Sequence, residues 1–231
     1  MIETKGLTVQ KADILLHAVD LTVNNGEIYL LMCQRERCAT AISDIFAGFM
    51  PFQDGHIFMD TQPLTPLNGA RAVFINRLEN QTDFEPDMRL KDILDFYNCR
   101  GDVSRKRALE ILLLFNLFDE DLNKKIRHCD PMDFKAFYLS LLLAKDWTNI
   151  IINDYIRGEE RAFELKFNRV LIQMKNEGKA ILYLTGDIFY AYRIADRVSF
   201  LKNGYLVPAE PIISRDFEEL DPMEVYKKYL I

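Results

Sequence analysis

The pattern of apolar and polar positions predicts where the strands and helices begin. Alternating residues at the start of the chain predict two short strands, over 2–9 and 14–23. A continuous apolar run over 28–32 then predicts a buried strand, and apolar residues at helical spacing within 42–46 predict a helix. Only a short polar stretch separates the two. The segment 26–48 is therefore predicted to be a strand, a tight loop and a helix, around which the chain is organised.

The remaining pattern predicts more strands and one helical region. Residues 86–128 show helical periodicity without strand alternation, interrupted by a break at 101–104 in which Ser104 is a good N-cap. Asp130 and Pro131 are suited to the first positions of a further helix, predicted over 132–145. Apolar runs predict strands over 55–60, 71–77 and 149–155.

Composition narrows the possible classes of function. With 231 residues, 49% of them hydrophobic, the chain can bury one substantial core. The net charge of −6 and the lack of a basic stripe argue against nucleic-acid binding. The apolar run over 139–144 is far shorter than the roughly 18 to 20 residues that span a bilayer, and the N-terminus shows no signal-peptide pattern. We therefore expect a soluble, cytoplasmic protein.

The cysteines do not predict a disulfide framework or a metal site. The chain has four cysteines, widely scattered, which is typical of a protein in a reducing compartment. Their spacing, even with His128 included, matches no common zinc pattern. We expect no metal site. The cysteines are Cys33, Cys38, Cys99 and Cys129.

The segment 26–48 has the frame of a phosphate-binding loop, in which glycines form a nest of backbone N–H donors, a lysine reaches the terminal phosphates and a hydroxyl holds magnesium. It resembles the nucleotide-binding subunit of ABC transporters, whose strand opens with Gly-Glu-Ile and whose helix ends with Ala-Gly. Residues that match the family pattern continue to 193–204. A short amphipathic tail at 222–231 is similar to the tails of exporter subunits. The resemblance thus covers nearly the whole chain.

The residues that carry phosphate chemistry in that family are replaced here. Cys33, Glu36 and Cys38 stand where the resemblance implies glycines, Ala39 where it implies the lysine, and only Thr40 survives. Glycine-only backbone angles cost other residues roughly 1 to 3 kcal/mol each, which makes a phosphate cradle improbable. An alternative is that the arginines at 35 and 37 bind an anion instead.

Two further positions lack the nucleotide-binding groups that the resemblance implies. Gln10 stands where the family stacks an aromatic ring on adenine, and we interpret it as an exposed turn residue. Arg77 stands where a glutamine would touch magnesium, and a guanidinium cannot ligate a cation, which excludes the metal role unless Asn76 is displaced into it. Arg77 would still present a positive charge between the two lobes.

The signature segment is also changed. The family's Leu-Ser-Gly-Gly-Gln clasps the γ-phosphate of ATP held by the opposite subunit. Here the matching residues are Cys129, Asp130, Pro131, Met132 and Asp133, so the helix should form while its acids repel phosphate. The predicted strand over 149–155 carries Asn153 for a magnesium-ordering aspartate and Asp154 for the general-base glutamate, and Gly186 replaces the histidine that contacts phosphate.

Together these residues predict an α/β fold of the P-loop ABC ATPase type, with a mostly parallel central sheet and an antiparallel edge lobe. We expect one domain over 1–231, with a helical subdomain at about 86–145 and a tail at about 211–231. The leading hypothesis is a pseudo-ATPase, with no bound ATP or magnesium, that docks a membrane permease from the cytoplasmic side and pairs with an intact ATPase subunit. Two alternatives remain: a weak ATPase using Thr40 and Asp154, and a soluble regulatory module of the same fold.

Overall fold

A computed structural model describes residues 1–11, 14–33, 36–64, 72–76, 84–153, 161–186 and 193–208. The strands are β1 Ile2–Lys11, β2 Ile14–Val23, β3 Glu27–Cys33, β4 Asp54–Met59, β5 Gln62–Pro63, β6 Ala72–Asn76, β7 Asn149–Asn153, β8 Ala180–Thr185, β9 Arg197–Lys202 and β10 Tyr205–Pro208. The helices are α1 Glu36–Phe46, α2 Leu90–Cys99, α3 Arg105–Leu114, α4 Pro131–Leu143 and α5 Arg161–Asn176. Two 3-10 turns, Asp121–Asn123 and Ile126–His128, precede α4.

The chain divides into two compact units. The first contains Met1–Arg77, Thr148–Arg157 and Leu171–Ile231, and the second contains Leu78–Trp147 and Gly158–Val170. Both sheets lie in the first unit, and α2, α3 and α4 lie in the second. The division falls within α5.

The larger sheet has the strand order β10-β9-β3-β8-β7-β6. β3 lies at its centre and pairs in parallel with both β8 and β9, while β10 runs antiparallel to β9. All seven residues of β3 are buried, as expected of a strand covered on both faces. The expected α/β fold with a mostly parallel central sheet is confirmed.

The smaller sheet is antiparallel, with the order β2-β1-β4-β5, and is the edge lobe that the sequence predicted. β1 departs from regular register with β2 between Thr4 and Leu7, and its other neighbour, β4, approaches it closely there. A side chain at Gly55 would place its Cβ 2.5 Å from the carbonyl oxygen of Gly6, so the approach requires glycine at position 55.

One continuous apolar core joins the two sheets and α1 within the first unit. Ile42, Ile45 and Phe46 of α1 are buried in this core, as their helical spacing predicted. Leu31 contributes from the large sheet and Val9 from the small one. The core thereby fixes the face of α1 that turns toward the sheets, and with it the polar residues on the other faces.

Polar contacts tie β3 to β9 at the edge where both strands begin. The backbone N–H of Ile28 donates to the Asp196 carboxylate at 2.9 Å. The Arg197 guanidinium donates to the buried Glu27 carboxylate and lies 4.6 Å from the centre of the Tyr29 ring. The sequence resemblance at 193–204 therefore falls on residues that hold the sheet together.

The second unit is helical where it is described. The Ser104 hydroxyl accepts the N–H of Arg107 and caps α3, as predicted. α3 ends at Leu114, because Asn116 adopts a positive φ of 61° that no α-helix can continue. Among the described helices, none is long and apolar enough to cross a membrane.

Candidate nucleotide site

The carboxyl ends of the central strands bring the predicted site residues to one edge of the large sheet. β3 ends at Cys33, its neighbour β8 ends one residue before Gly186, and β7 ends at Asn153. A Cβ at Gly186 would lie 3.5 Å from the Cys33 carbonyl oxygen, so these two positions adjoin. In parallel α/β sheets, ligands bind at this edge.

The junction between β3 and α1 has no glycine-type backbone in its described residues. Cys33 is the last residue of the strand, and α1 already begins at Glu36. The positions that the resemblance assigns to the second and third glycines, Glu36 and Cys38, are therefore in the first turn of a helix. None of the three residues has a positive φ. Residues 34 and 35, including the arginine considered as an anion binder, lie outside the described residues.

Ala39 is part of the core. Its exposed fraction is 1%, and it belongs to the apolar cluster that joins the two sheets and α1. The position that the resemblance assigns to the phosphate-binding lysine thus holds a small side chain packed against other apolar groups. An ammonium group at this point would have to leave water or displace its neighbours.

Thr40 and Asn153 are brought together, although 112 residues separate them in the chain. The Asn153 side-chain N–H donates to the Thr40 hydroxyl at 3.4 Å. Asn153 is 8% exposed, and its amide oxygen has no hydrogen-bond partner in the described part of the chain. A neutral amide carries no charge to balance a divalent cation, and here its N–H faces the hydroxyl that would ligate one. The pair is poorly suited to magnesium.

Gln10 lies in β1 rather than in a turn. Its side chain is exposed, and its backbone N–H and C=O both bond to the Gln53 side chain, at 2.6 and 2.8 Å. The Gln53 side chain thus holds the end of β1, and it offers no aromatic surface on which a base could stack. Arg77 and Asp154 lie outside the described residues, as do 78–83 and the tail at 211–231.

The segment that the resemblance assigns to the signature forms the capped start of α4. The Asp130 carboxylate accepts the backbone N–H of Met132 at 2.8 Å, and Pro131 occupies the first helical turn. The N-cap predicted at Asp130 is confirmed, with the helix running from Pro131 to Leu143. Backbone N–H groups at a helix start are the donors that bind phosphate in nucleotide sites. Here an internal carboxylate already binds one of them.

Two other side chains at the start of α4 add to this local electrostatic pattern. Burial is the main cause that raises the pKa of Asp133, and the neighbouring carboxylates of Asp130 and Asp121 raise it further. The Cys129 thiol lies 3.3 Å from the Lys125 carbonyl oxygen, and burial likewise raises its pKa. A phosphate placed here would meet acidic groups and a neutral thiol.

The sequence did not single out one polar face of α1. Arg37, Thr40, Ala41 and Asp44 follow the spacing of one helix face and line a cavity of about 460 Å³ together with Ile14 and Met50. The spacing i, i+3, i+4, i+7 was visible in the sequence. It gave no signal because the mixed chemistry of these residues resembles any solvated helix face.

Comparison with known proteins places this architecture in one class. No protein-family model matches the chain. The ribose import ATP-binding protein RbsA of Lactococcus lactis is 23% identical over 217 residues, covering 89% of this chain and 44% of that protein. The energy-coupling factor transporter ATP-binding protein EcfA1 of Thermotoga maritima is 22% identical over 220 residues, covering 90% and 82%. The chain thus spans less than half the length of RbsA.

Solved structures agree with the sequence relatives. The structure of cbiO1 from Clostridium perfringens, part of the ABC transporter complex cbiONQ, has a TM-score of 0.78 and 16% identity, covering 98% of this chain and 93% of that one. An ATP-binding cassette of an ABC transporter in its ADP conformation has a TM-score of 0.76 and 14% identity, covering 98% of both chains. The fold is that of an ABC ATPase cassette. Relatives and structural neighbours alike are ATP-binding cassettes of ABC transporters.

Proposed function

We propose that this chain is a nucleotide-binding-domain subunit of an ABC transporter that does not turn over ATP. The observation that carries the proposal is the β3–α1 junction. There, α1 begins at Glu36, and Ala39, in the position of the phosphate-binding lysine, is 1% exposed. Phosphoryl transfer depends almost entirely on positioning and charge stabilisation, and the described junction supplies neither a glycine nest nor a lysine.

The substitutions at the other positions support the same proposal. The Asn153 amide bonds directly to Thr40, so no acid at position 153 orders a metal. Gly186 has no side chain with which to contact a phosphate. A single change could be tolerated, whereas the combined loss removes metal binding, phosphate binding and charge stabilisation. The proposed protein therefore has no ATP or magnesium as cofactor.

The proposed role is to bind two other subunits of a transporter. The chain would dock a membrane permease from the cytoplasmic face and pair head to tail with an ATPase subunit that carries intact motifs. Each composite site would then combine one intact element with one replaced element. The exporter-like type is a prediction from the tail at 222–231. The two RbsA relatives, by contrast, are ribose import ATP-binding proteins.

Calorimetric titration with ATP and magnesium tests the missing nucleotide site. We expect no heat of binding at micromolar protein and ATP, whereas an intact ABC cassette under the same conditions should bind. Micromolar affinity in the parent chain would overturn the proposal and favour the weak-ATPase alternative that uses Thr40 and Asp154.

Recovery of bound chains from native membranes tests the partners. A tagged chain should co-purify with a permease and with a second cassette that carries an intact phosphate loop. Phe49, which follows α1 and is 84% exposed, offers an apolar contact in the described part of the chain. Phe49→Ser should reduce recovery of the permease, while Phe118→Ser, at a residue 57% exposed in the second unit, is the matched control. Recovery of the chain without any membrane protein would favour a soluble regulatory module.

A further inference from the structure

The cavity beside α1 has a polar and an apolar part. Ile14, Ala41 and Met50 supply apolar groups, and Asp44 supplies a carboxylate. Ala41 is almost fully buried, while Ile14, Asp44 and Met50 are half-buried. At about 460 Å³, the cavity lies within the size range of small-molecule sites.

The Asp44 carboxylate has no hydrogen-bond donor and no ion-pair partner among the described residues, although acids in the same unit such as Glu27 and Asp196 are paired. Burial without a compensating partner raises the pKa of Asp44. A half-buried carboxylate lacks part of its hydration, and a cation with N–H donors would restore what burial removed.

Thr40 supplies a further polar group to the cavity. Thr40, one helical turn before Asp44, lines the same cavity, and its hydroxyl lies 3.4 Å from the Asn153 side chain. The Asn153 amide oxygen is buried and has no partner among the described residues. Arg37, which also lines the cavity, lies seven residues before Asp44, about 10.5 Å along the helix axis, and is not among the causes that shift the pKa of Asp44.

From this geometry we propose that the cavity is a binding site for a small organic ammonium compound with an apolar body. The ammonium group donates to the Asp44 carboxylate, and the apolar body lies against Ile14, Ala41 and Met50. This site goes beyond the proposed transporter role, and it needs neither a phosphate loop nor a partner subunit.

Titration of the full chain with 2-phenylethylamine, followed by NMR or calorimetry, tests the site. 2-Phenylethanol has nearly the same shape without the charge and is the control probe. We expect saturable binding of the amine, and binding of the alcohol that is weaker by about tenfold or more, since the alcohol cannot form a charge-assisted hydrogen bond with Asp44. Equal affinity for the two probes would overturn the proposal.

Variants separate the contributions of charge and shape. Asp44→Asn should weaken amine binding by about tenfold, whereas Asp92→Asn, which removes the same charge from an exposed position on α2, should leave it unchanged. Ala41→Leu should reduce binding by filling the cavity while Asp44 remains. Thermal unfolding of each variant reports whether it folds, and the Asp44→Asn result decides the matter if Ala41→Leu does not.

A third titration distinguishes failure of this site from failure of the proposed function. If millimolar ATP does not displace the bound amine, the cavity binds a class of ligand other than nucleotides, whether or not ATP binds elsewhere. Displacement of the amine by ATP would assign the cavity to a nucleotide and overturn the ammonium proposal. It would also argue against the pseudo-ATPase.

Discussion

At the scale of single residues, two polar side chains at positions that the family resemblance assigns to nucleotide binding bond to the protein itself, where a nucleotide site would need them directed at a ligand. Asp130 accepts the N–H of Met132, and Asn153 donates to Thr40. Each contact satisfies a group that would otherwise be available to phosphate or metal. The substitutions therefore stabilise the fold locally, and we expect their removal to lower stability.

Asp130→Ala should lower the free energy of unfolding by about 1 kcal/mol, because it leaves an N–H at the start of α4 without its cap. Denaturant titration of the parent and the variants at one pH measures the loss of free energy of unfolding. Asp130→Ser is the matched control, since serine retains a capping oxygen without the charge. If both variants lose the same stability, the charge rather than the cap is responsible.

Asp44 should leave a signature in the pH dependence of stability. Burial raises its pKa, so the native state binds the proton more tightly than the unfolded state. Its contribution to the free energy of unfolding is therefore largest below the unfolded pKa of about 3.9 and falls as the pH rises through the native value.

Asp44→Asn removes this titration. Relative to the parent, the variant should gain stability as the pH rises from the unfolded pKa of about 3.9 through the raised native pKa of Asp44, with no further change above it. Chemical denaturation at several pH values, without added amine, measures the difference. Parallel stability curves for the two proteins would contradict the predicted pKa shift.

At the scale of elements, α1 explains why the frame of a phosphate loop persists without its chemistry. The buried strand β3 and the apolar face of α1 fix where the strand ends and how the helix packs. Neither depends on the loop glycines. Without those glycines, the residues at Glu36 and Cys38 adopt helical backbone, which suits side-chain-bearing residues.

Ala39→Lys should therefore destabilise the protein by roughly 2–4 kcal/mol and should not create ATP affinity, because a lysine at this position must bury its charge in the core. Thermal or denaturant unfolding, followed by calorimetry with ATP, measures both effects. Asn176→Lys adds the same charge at an exposed position of α5 and should cost much less. Strong nucleotide binding by Ala39→Lys alone would mean that the loop already folds as a phosphate cradle.

At the scale of the whole molecule, an antiparallel sheet, a central sheet and a helical unit have kept the architecture of an ATP-binding cassette at sequence identities of 14–23%. The proposed head-to-tail pair then predicts asymmetry. Any ATP held by the partner's phosphate loop would face the start of α4, where Asp130 and Asp133 place acidic groups. Closure around that ATP should be weak.

Restoring Ser and Gly at the start of α4 should raise the ATPase rate of the assembled complex. The combined change is Asp130→Ser, Pro131→Gly and Met132→Gly, which removes one acid and frees the N–H groups that clasp phosphate. Steady-state phosphate release measures the rate, with Ala39→Lys as the variant expected to give no increase. An unchanged rate in the restored complex would show that this subunit does not contribute to the active composite site.

The sequence by itself determined the elements whose signal is local. The apolar run of β3, the helical spacing of α1 and the caps at Ser104 and Asp130 are set by neighbours within a few residues. Residues of these elements that match the family pattern also carried the resemblance that predicted the fold. The lack of glycines in the loop between β3 and α1 could also be read from the sequence, because it concerns residue identity alone.

Only the tertiary structure decided which distant residues meet. The contact of Thr40 with Asn153, the proximity of Gly186 to Cys33 and the burial of Ala39 depend on the order of parallel strands and on packing. The cavity at Asp44 depends on β2 lying beside α1. Hydrophobic periodicity shows that a residue lies on a face, whereas long-range packing decides what that face contacts. The sequence therefore could not predict that the Asp44 carboxylate has no partner among the described residues.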